Sequence, residues 1–356
     1  MLRNGFKRGK NILFFTPYYL QSRGNATTAK RIEQGMQLAG WNVLVFAYEE
    51  EEWTEEWQRR FEEVDLYHVL HLRRFASWLM RHKLNLTKPY VLTSGGTDVN
   101  EDLKDPAAAL LIKSVADESC AITVFSEDGK EKIAAVFPEL AERVHVIAQS
   151  IWLPEANNRS NTTIISGYPS FLLPAGLRPV KDVFYLWEAM VELRKTYTTL
   201  SFTIIGANLD NTIYQEVKKR SENVEWFHYL GEIPLNDMTP IYKQCDIVIN
   251  TSLSEGQPTS ILEAMYVGKP VIARRIPGNE SIIQHTKNGL LFNSTDEFLI
   301  EVKTLLNYPK KRERIVRAGQ DYIQTHHQLE QEVSLYSKVY KHCIEKAQKP
   351  EVKVET

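Results

Sequence analysis

Ser254-Glu255-Gly256-Gln257-Pro258-Thr259-Ser260-Ile261-Leu262-Glu263-Ala264-Met265 is followed closely by Gly268-Lys269-Pro270-Val271-Ile272-Ala273. Upstream, residues 246–250 are short and apolar and read as a strand ending in the loop 251–258. A helix is expected over 260–267, with Pro258 suited to its first turn and Gly268 with Pro270 stopping it. A second strand, 271–273, follows at once. The loop and helix start offer free backbone N–H groups and a positive dipole end to an anion. Gly256 lets backbone approach closely, as a diphosphate requires. Of the two glutamates, one can accept from sugar hydroxyls while the other reaches those of a ribose. The plainer alternative is two glutamates exposed on a solvated helix.

Working outward, the strand–helix alternation continues in both directions. In the first half, residues 12–15, 43–47, 66–69, 90–93, 121–125 and 144–147 read as strands, with helices such as 26–39 and 110–118 between them. In the second half the strands are 171–174, 201–205, 246–250 and 271–273, and the helices 183–195, 213–221, 260–267 and 296–306. This alternation implies α/β architecture with parallel sheets covered on both faces. Ligands then sit at the carboxyl ends of strands. The polar segment 153–170 reads as a connection between a domain spanning 1–155 and one spanning 170–328. Residues 329–343 carry Val333, Tyr336, Val339, Tyr340 and Cys343 at helical spacing, so a helix is expected to dock there. The charged end of 329–356 reads as a frayed tail.

Composition narrows the class. At 356 residues with 43% hydrophobic content, two cores are expected. A net charge of −2 excludes wholesale nucleic-acid binding. Cys120, Cys245 and Cys343 lie far apart and read as buried free thiols. Residues 1–10 are basic but lead into a strand and not a long apolar run, so neither a signal peptide nor a membrane span is expected. A cytoplasmic protein follows, with peripheral contact at the inner membrane face as an option. That option comes from residues 72–84, where Arg73, Arg74, Arg81 and Lys83 surround an apolar stripe. Such a helix lies on anionic lipid or, more commonly, packs with a solvated face. The acidic run at Glu49–Glu52, with Glu55 and Glu56, reads as a solvated helix start.

The quoted stretch, with Asn288-Gly289-Leu290-Leu291 beyond it, resembles family four of the retaining glycosyltransferases, which have the GT-B fold. Glu255 and Glu263 match its Glu-x7-Glu signature, and Leu230-Gly231-Glu232-Ile233 and Tyr242…Cys245-Asp246 fall where that family has related motifs. Gly176-Leu177-Arg178-Pro179-Val180-Lys181 is similar to its Gly-Arg-Leu…Lys segment, with a shorter Arg–Lys spacing. The resemblance implies two Rossmann-like domains facing across a cleft, closing over the donor, with a C-terminal helix returning to the first. It further implies transfer of a sugar from a nucleotide-diphosphate sugar with retention, UDP preferred and GDP allowed. Glu255, Arg178 and Lys181 would serve the reaction. Gly256, Gln257, Pro258, Thr259, Ser260, Glu263, Gly206 and Gly231 would hold the donor. No cofactor or metal is expected: the chain has no Asp-x-Asp, and cations with a helix start would stabilise the departing diphosphate.

The acceptor, whether glycan, lipid or small molecule, falls to the first half. Gly24 and Asn25 follow the first strand and enter a helix; Gly96, Thr97 and Asp98 follow the strand 90–93. Asp98 either accepts from hydroxyls of the acceptor or caps an Asx-type turn. Many relatives have a donor-binding histidine after this strand, where this chain has Gly95 and Gly96. His68 and His71 lie earlier and read as structural. Ser281, after Gly278-Asn279, falls near where relatives often place a glutamate. Two alternatives to a sugar transferase with an unidentified acceptor stand beside it: a non-catalytic nucleotide-sugar-binding module, or a same-fold transferase acting on a non-sugar acceptor.

Overall fold

The computed structural model describes residues 9–21, 23–154 and 166–348. It divides into two compact units, one comprising Met1–Gln149 with Leu329–Thr356, the other Ser150–Gln328. The first unit runs β1 (Asn11–Thr16), α1 (Gly24–Leu38), β2 (Asn42–Ala47), α2 (Glu55–Glu63), β3 (Leu66–Leu70), α3 (Leu72–His82), β4 (Tyr90–Thr93), α4 (Thr97–Asn100), α5 (Pro106–Ala116), β5 (Ala121–Val124), α6 (Glu127–Val136) and β6 (Val144–Val146). The second runs β7 (Ser170–Pro174), α7 (Trp187–Thr196), β8 (Ser201–Ile205), α8 (Asn211–Asn223), β9 (Phe227–Tyr229), α9 (Leu235–Gln244), β10 (Ile247–Asn250), α10 (Thr259–Tyr266), β11 (Val271–Arg274), α11 (Pro277–Glu280), β12 (Leu290–Phe292), α12 (Thr295–Asn307) and α13 (Pro309–His326). The last helix, α14 (Leu329–Gln348), belongs to the first unit.

Each unit holds a six-stranded sheet whose named pairings are all parallel. The strands read as unbroken apolar runs because both faces are covered. In β1, Leu13 and Phe15 enter one layer and Ile12 and Phe14 the other. In β7, Phe171 and Leu173 part from Leu172 in the same way. Strand order is β2-β1-β3-β4-β5-β6 in the first sheet and β12-β11-β10-β7-β8-β9 in the second. Order reverses direction beside β1 and β3 in one, and beside β7 and β10 in the other. Those switch points leave crevices at the strands' carboxyl ends.

α14 is fastened to the first unit by polar contacts as well as packing. Arg31 of α1, 1% exposed, donates Nε to Glu332 Oε2 at 2.9 Å and Nη2 to Glu332 Oε1 at 3.0 Å. Its Nη2 also reaches Gln149 Oε1 at 2.9 Å. His68 stacks on Phe14 at 4.3 Å and bridges Thr93 Oγ1 and the Tyr340 hydroxyl at 2.6 and 2.5 Å. It is therefore a structural histidine. Burial pushes its imidazole down to about 3. The unfolded chain protonates His68 near pH 6.5 and the fold does not, so stability is full above that pH and declines as pH falls toward 3. We expect a slope of up to about 1.4 kcal/mol per pH unit between pH 6 and 4 from this residue. Denaturation of His68→Phe across that range should show a shallower slope; an unchanged slope would remove His68 as the cause.

Three expectations are corrected. Cys120 and Cys343 are joined in a disulfide between the approach to β5 and α14, and only Cys245 is a free cysteine among the described residues. Their 223-residue separation hid a pairing that the returning helix creates. Glu49–Glu52 is not a helix start: Glu50 accepts from the backbone N–H groups of Tyr19, Leu20 and Gln21, and Glu51 from that of Ala47. α2 begins later, at Glu55, with Thr54 as its cap. The helix placed over 183–195 starts only at Trp187, because Pro179–Lys181 forms a separate 3-10 turn. The connecting segment 153–170 lies largely outside the described residues, as do the tail beyond 348 and most of residues 1–10. Among the described residues no helix is long and apolar enough to cross a membrane.

Candidate active site

The second sheet's switch point is built by two loops. One follows β7 and carries Gly176 to Asp182; the other follows β10 and carries Thr251 to Pro258. They are laced together: Leu253 N–H donates to Val180 O at 2.8 Å and Thr251 Oγ1 to Lys181 O at 2.8 Å. Arg274, at the end of β11, adds a third strut, with Nη1 2.9 Å from Asp182 Oδ2 and 3.3 Å from Thr251 O.

Across this lacing Lys181 Nζ meets Glu255 Oε1 at 2.5 Å, the two side chains being 14% and 12% exposed. The same oxygen accepts from Ser252 Oγ at 2.6 Å and Asn250 Nδ2 at 3.4 Å. Burial alone would raise the Glu255 carboxyl, but the Lys181 charge and these donors outweigh it and hold it below its ordinary range. Glu255 is thus an ionised acceptor-only group with its cation attached. Asn250 Oδ1 in turn accepts from Asn279 Nδ2 at 3.1 Å, linking α11 to the cluster. Gly278 makes that approach feasible: a Cβ there would stand 2.4 Å from Glu255 O.

α10 starts at Thr259, with Pro258 at the N-cap and no side-chain cap. Pro258 thus precedes the first turn, where an initial helical position was expected. Gly256, Thr259 and Ser260 are partly exposed, whereas Gln257 is buried and donates to Ser281 Oγ at 3.3 Å. Ser281 is tied in turn to Gly278 O at 2.7 Å. Glu263 lies one turn into α10, 6% exposed, with Oε2 accepting from the Tyr242 hydroxyl at 2.7 Å. Burial first, and then the Glu263 charge, drive that phenol well above its ordinary range, so it remains a donor. Gly206 and Gly231 meet beside this site, Gly206 N–H donating to Gly231 O at 2.7 Å. At φ +149° and with Ala175 O 2.2 Å from a would-be Cβ, position 206 accepts only glycine. Arg178 precedes the 3-10 turn and is exposed.

The first-half residues gather at the other switch point. Asp98, fully buried, accepts from Leu72 N–H at 2.8 Å, Ser94 Oγ at 2.7 Å, Gly95 N–H at 3.1 Å and Val99 N–H at 3.0 Å. Four donors saturate it, so it builds the loop and is not placed to accept from an acceptor's hydroxyls. Thr97 is exposed and Gly96, at φ +94°, makes the turn that presents it. A Cβ at Gly95 would lie 3.0 Å from His71 Cδ2 and 3.2 Å from Asn25 Oδ1, so glycine here admits both neighbours. Gly24 opens α1 beside Asn25. The residues that sequence reading missed are Asn250, Ser252, Gly278, Asn279 and Arg274. Only the adjacent Gly278-Asn279 gave a signal.

Two laced loops thus lie at the carboxyl-end switch point of a parallel α/β sheet, beside an uncapped helix start and an ionised Glu–Lys pair. The sequence profile described as Glycosyl transferases group 1 matches residues 155–322. The chain is 31% identical over 323 residues to the Xenopus tropicalis glycosyltransferase 1 domain-containing protein 1, covering 88% of this chain and 92% of that one. This chain belongs to the group 1 glycosyltransferase family. Among solved structures it superposes on Anabaena HepE in complex with UDP and glucose with a TM-score of 0.73 at 16% identity, covering 93% of this chain and 99% of that one. The pneumococcal O-GlcNAc transferase GtfA in complex with UDP and GlcNAc gives 0.63 at 16% identity, covering 78% and 57%.

Proposed function

We propose that the chain transfers a sugar from a UDP-sugar, with retention, to an acceptor held by the first unit. The observation carrying this reading is the Lys181–Glu255 pair at the β7/β10 switch point. In the reading, the uncapped start of α10 with Gly256, Thr259 and Ser260 receives the diphosphate. Lys181 and Arg178 neutralise it, and no metal is assigned. Glu255 accepts from hydroxyls of the sugar. The bond from the anomeric carbon to the diphosphate oxygen breaks with its electron pair going to that oxygen. The acceptor oxygen then bonds the same face of the sugar, its proton passing to the departing phosphate. Preorganised cations at the leaving group favour that charge build-up without reorganising. UDP as donor is supported by the ligands bound to HepE and GtfA.

A thermal-shift panel of uridine, guanosine and adenosine diphosphate sugars tests the base, since a specific ligand raises apparent stability. Proton NMR of the first sugar released during slow hydrolysis of a UDP-α-sugar tests the stereochemistry. An α-sugar is expected, and a β-sugar would overturn retention. Binding without hydrolysis or transfer in any acceptor screen would favour the binding-module alternative.

Glu263→Ala is expected to weaken UDP binding about 10- to 100-fold, the loss of a hydrogen bond to a charged group. Calorimetry reads it directly. Unchanged affinity with lowered stability would reduce Glu263 to a packing partner of Tyr242.

A further inference from the structure

The first unit carries a cavity of about 310 Å³ at the carboxyl end of β3, beside its own switch point. His71, Arg73, Arg74, Thr97, Glu49 and Asp102 are among its walls. The two acids are already matched: Asp102 holds Arg73 at 2.8 Å, and Glu49 holds Arg81 at 3.4 Å. Arg74 is not. Its hydrogen-bond partner is the neutral Tyr18 hydroxyl, 2.8 Å away, and it forms no ion pair among the described residues. With Glu49 engaged by Arg81 from outside the wall, Arg74 is the wall cation left without an acidic partner among the described residues.

Two further observations converge on it. Arg73 and Arg74 sit in the first turn of the 11-residue α3, whose N-cap residue His71 makes no side-chain capping bond. Asp98 takes the Leu72 N–H of that turn at 2.8 Å, so the N–H groups of Arg73 and Arg74 are what this helix start offers an anion beside the Arg74 charge. His71 itself is 4% exposed, held at φ +73°, and its Nδ1 has no hydrogen-bond partner, lying 3.8 Å from Asp98 Oδ2. A buried polar atom left unpaired on a non-glycine residue in a strained conformation marks a place shaped for a ligand. The volume suits a small ligand or part of a larger one.

We propose that this cavity binds an anionic group, phosphoryl or carboxylate, carried by the acceptor. Arg74 supplies the charge and α3 the backbone N–H groups. The acceptor assignment rests on the transferase reading above; the anion site does not.

The full chain with saturating UDP, which occupies any diphosphate site, is titrated with inorganic phosphate and separately with acetate. Arginine side-chain NMR signals are followed throughout. A saturable shift of Arg74 is expected, with the midpoint rising about tenfold or more in Arg74→Gln, which loses a charge-assisted bond. Phosphate saturating below acetate assigns a phosphoryl group, and the reverse a carboxylate. No saturable shift, an equal midpoint in Arg74→Gln, or a midpoint that moves in Lys181→Ala would overturn the site. The donor reading fails separately, if UDP does not bind while phosphate still titrates Arg74.

Discussion

Lys181→Ala is expected to slow sugar transfer by about 10²- to 10³-fold while changing UDP affinity far less. Removing one preorganised donor from a developing oxyanion has that cost. The split follows from where Lys181 sits. In the proposed site, ground-state UDP would retain the start of α10 and Arg178, whereas charge on the leaving oxygen develops only during bond cleavage. Lys181 also serves as the cation for Glu255, so its loss leaves a largely buried carboxylate held by neutral donors such as Ser252 and Asn250. The Glu255 carboxyl should then move upward, because burial is no longer opposed by the ammonium. In the parent protein a depressed carboxyl stabilises the fold above its unfolded value near 4.3, and that contribution is lost as pH falls through the depressed value. In Lys181→Ala the acid limb of the activity profile should therefore lie at higher pH. Single-turnover rates, UDP calorimetry and a pH profile on one preparation check all three parts. Equal loss in binding and rate, with an unmoved acid limb, would make Lys181 a binding residue only.

Glu332→Ala should destabilise the first unit by about 3–5 kcal/mol, the cost of removing one partner from a buried pair. Arg31 would keep its charge at 1% exposure with Gln149 as its remaining named acceptor. The replacement of both partners by apolar residues, Arg31→Met with Glu332→Leu, should recover most of that loss, since the pair's own desolvation cost disappears with it. Denaturant unfolding of the single and double variants separates the cases. A double variant no more stable than Glu332→Ala would mean that the pair is favourable in its own right and not merely costly to break.

These two predictions rest on different kinds of legibility. Glu255, Gly256 and Glu263 stood out because a strand, a glycine loop and a helix start follow one another within some twenty residues. Local spacing alone determines how such a unit presents its N–H groups. Lys181 was readable as a candidate cation for a diphosphate. Its salt bridge to Glu255 was not, because the two lie 74 positions apart and only the β7–β10 pairing brings the loops together. Asn250 and Ser252, though close to Glu255 in the chain, were not legible either: an amide or hydroxyl has no signature until its neighbour is known. Asp98 shows the reverse. Its position after a strand suggested a ligand, yet folding surrounds it with four internal donors.

Taken by itself, the sequence determined the class of fold and the local strand–loop–helix–strand unit around Glu255. Both follow from apolar periodicity, turn residues and the capping of single elements, which act over a few neighbours. Tertiary structure alone decided the Cys120–Cys343 bond, the Arg31–Glu332 pair, the order of strands and the placing of His71 beside Arg74. Each of these brings groups together that are not neighbours in the chain, or confines a neighbour by burial. Their energies depend on desolvation and distance, which no local spacing encodes. The stretch from Ser254 to Ala273 thus announces a glycine loop and a helix start, while the cation paired with its glutamate, Lys181, arrives only when β7 and β10 lie side by side.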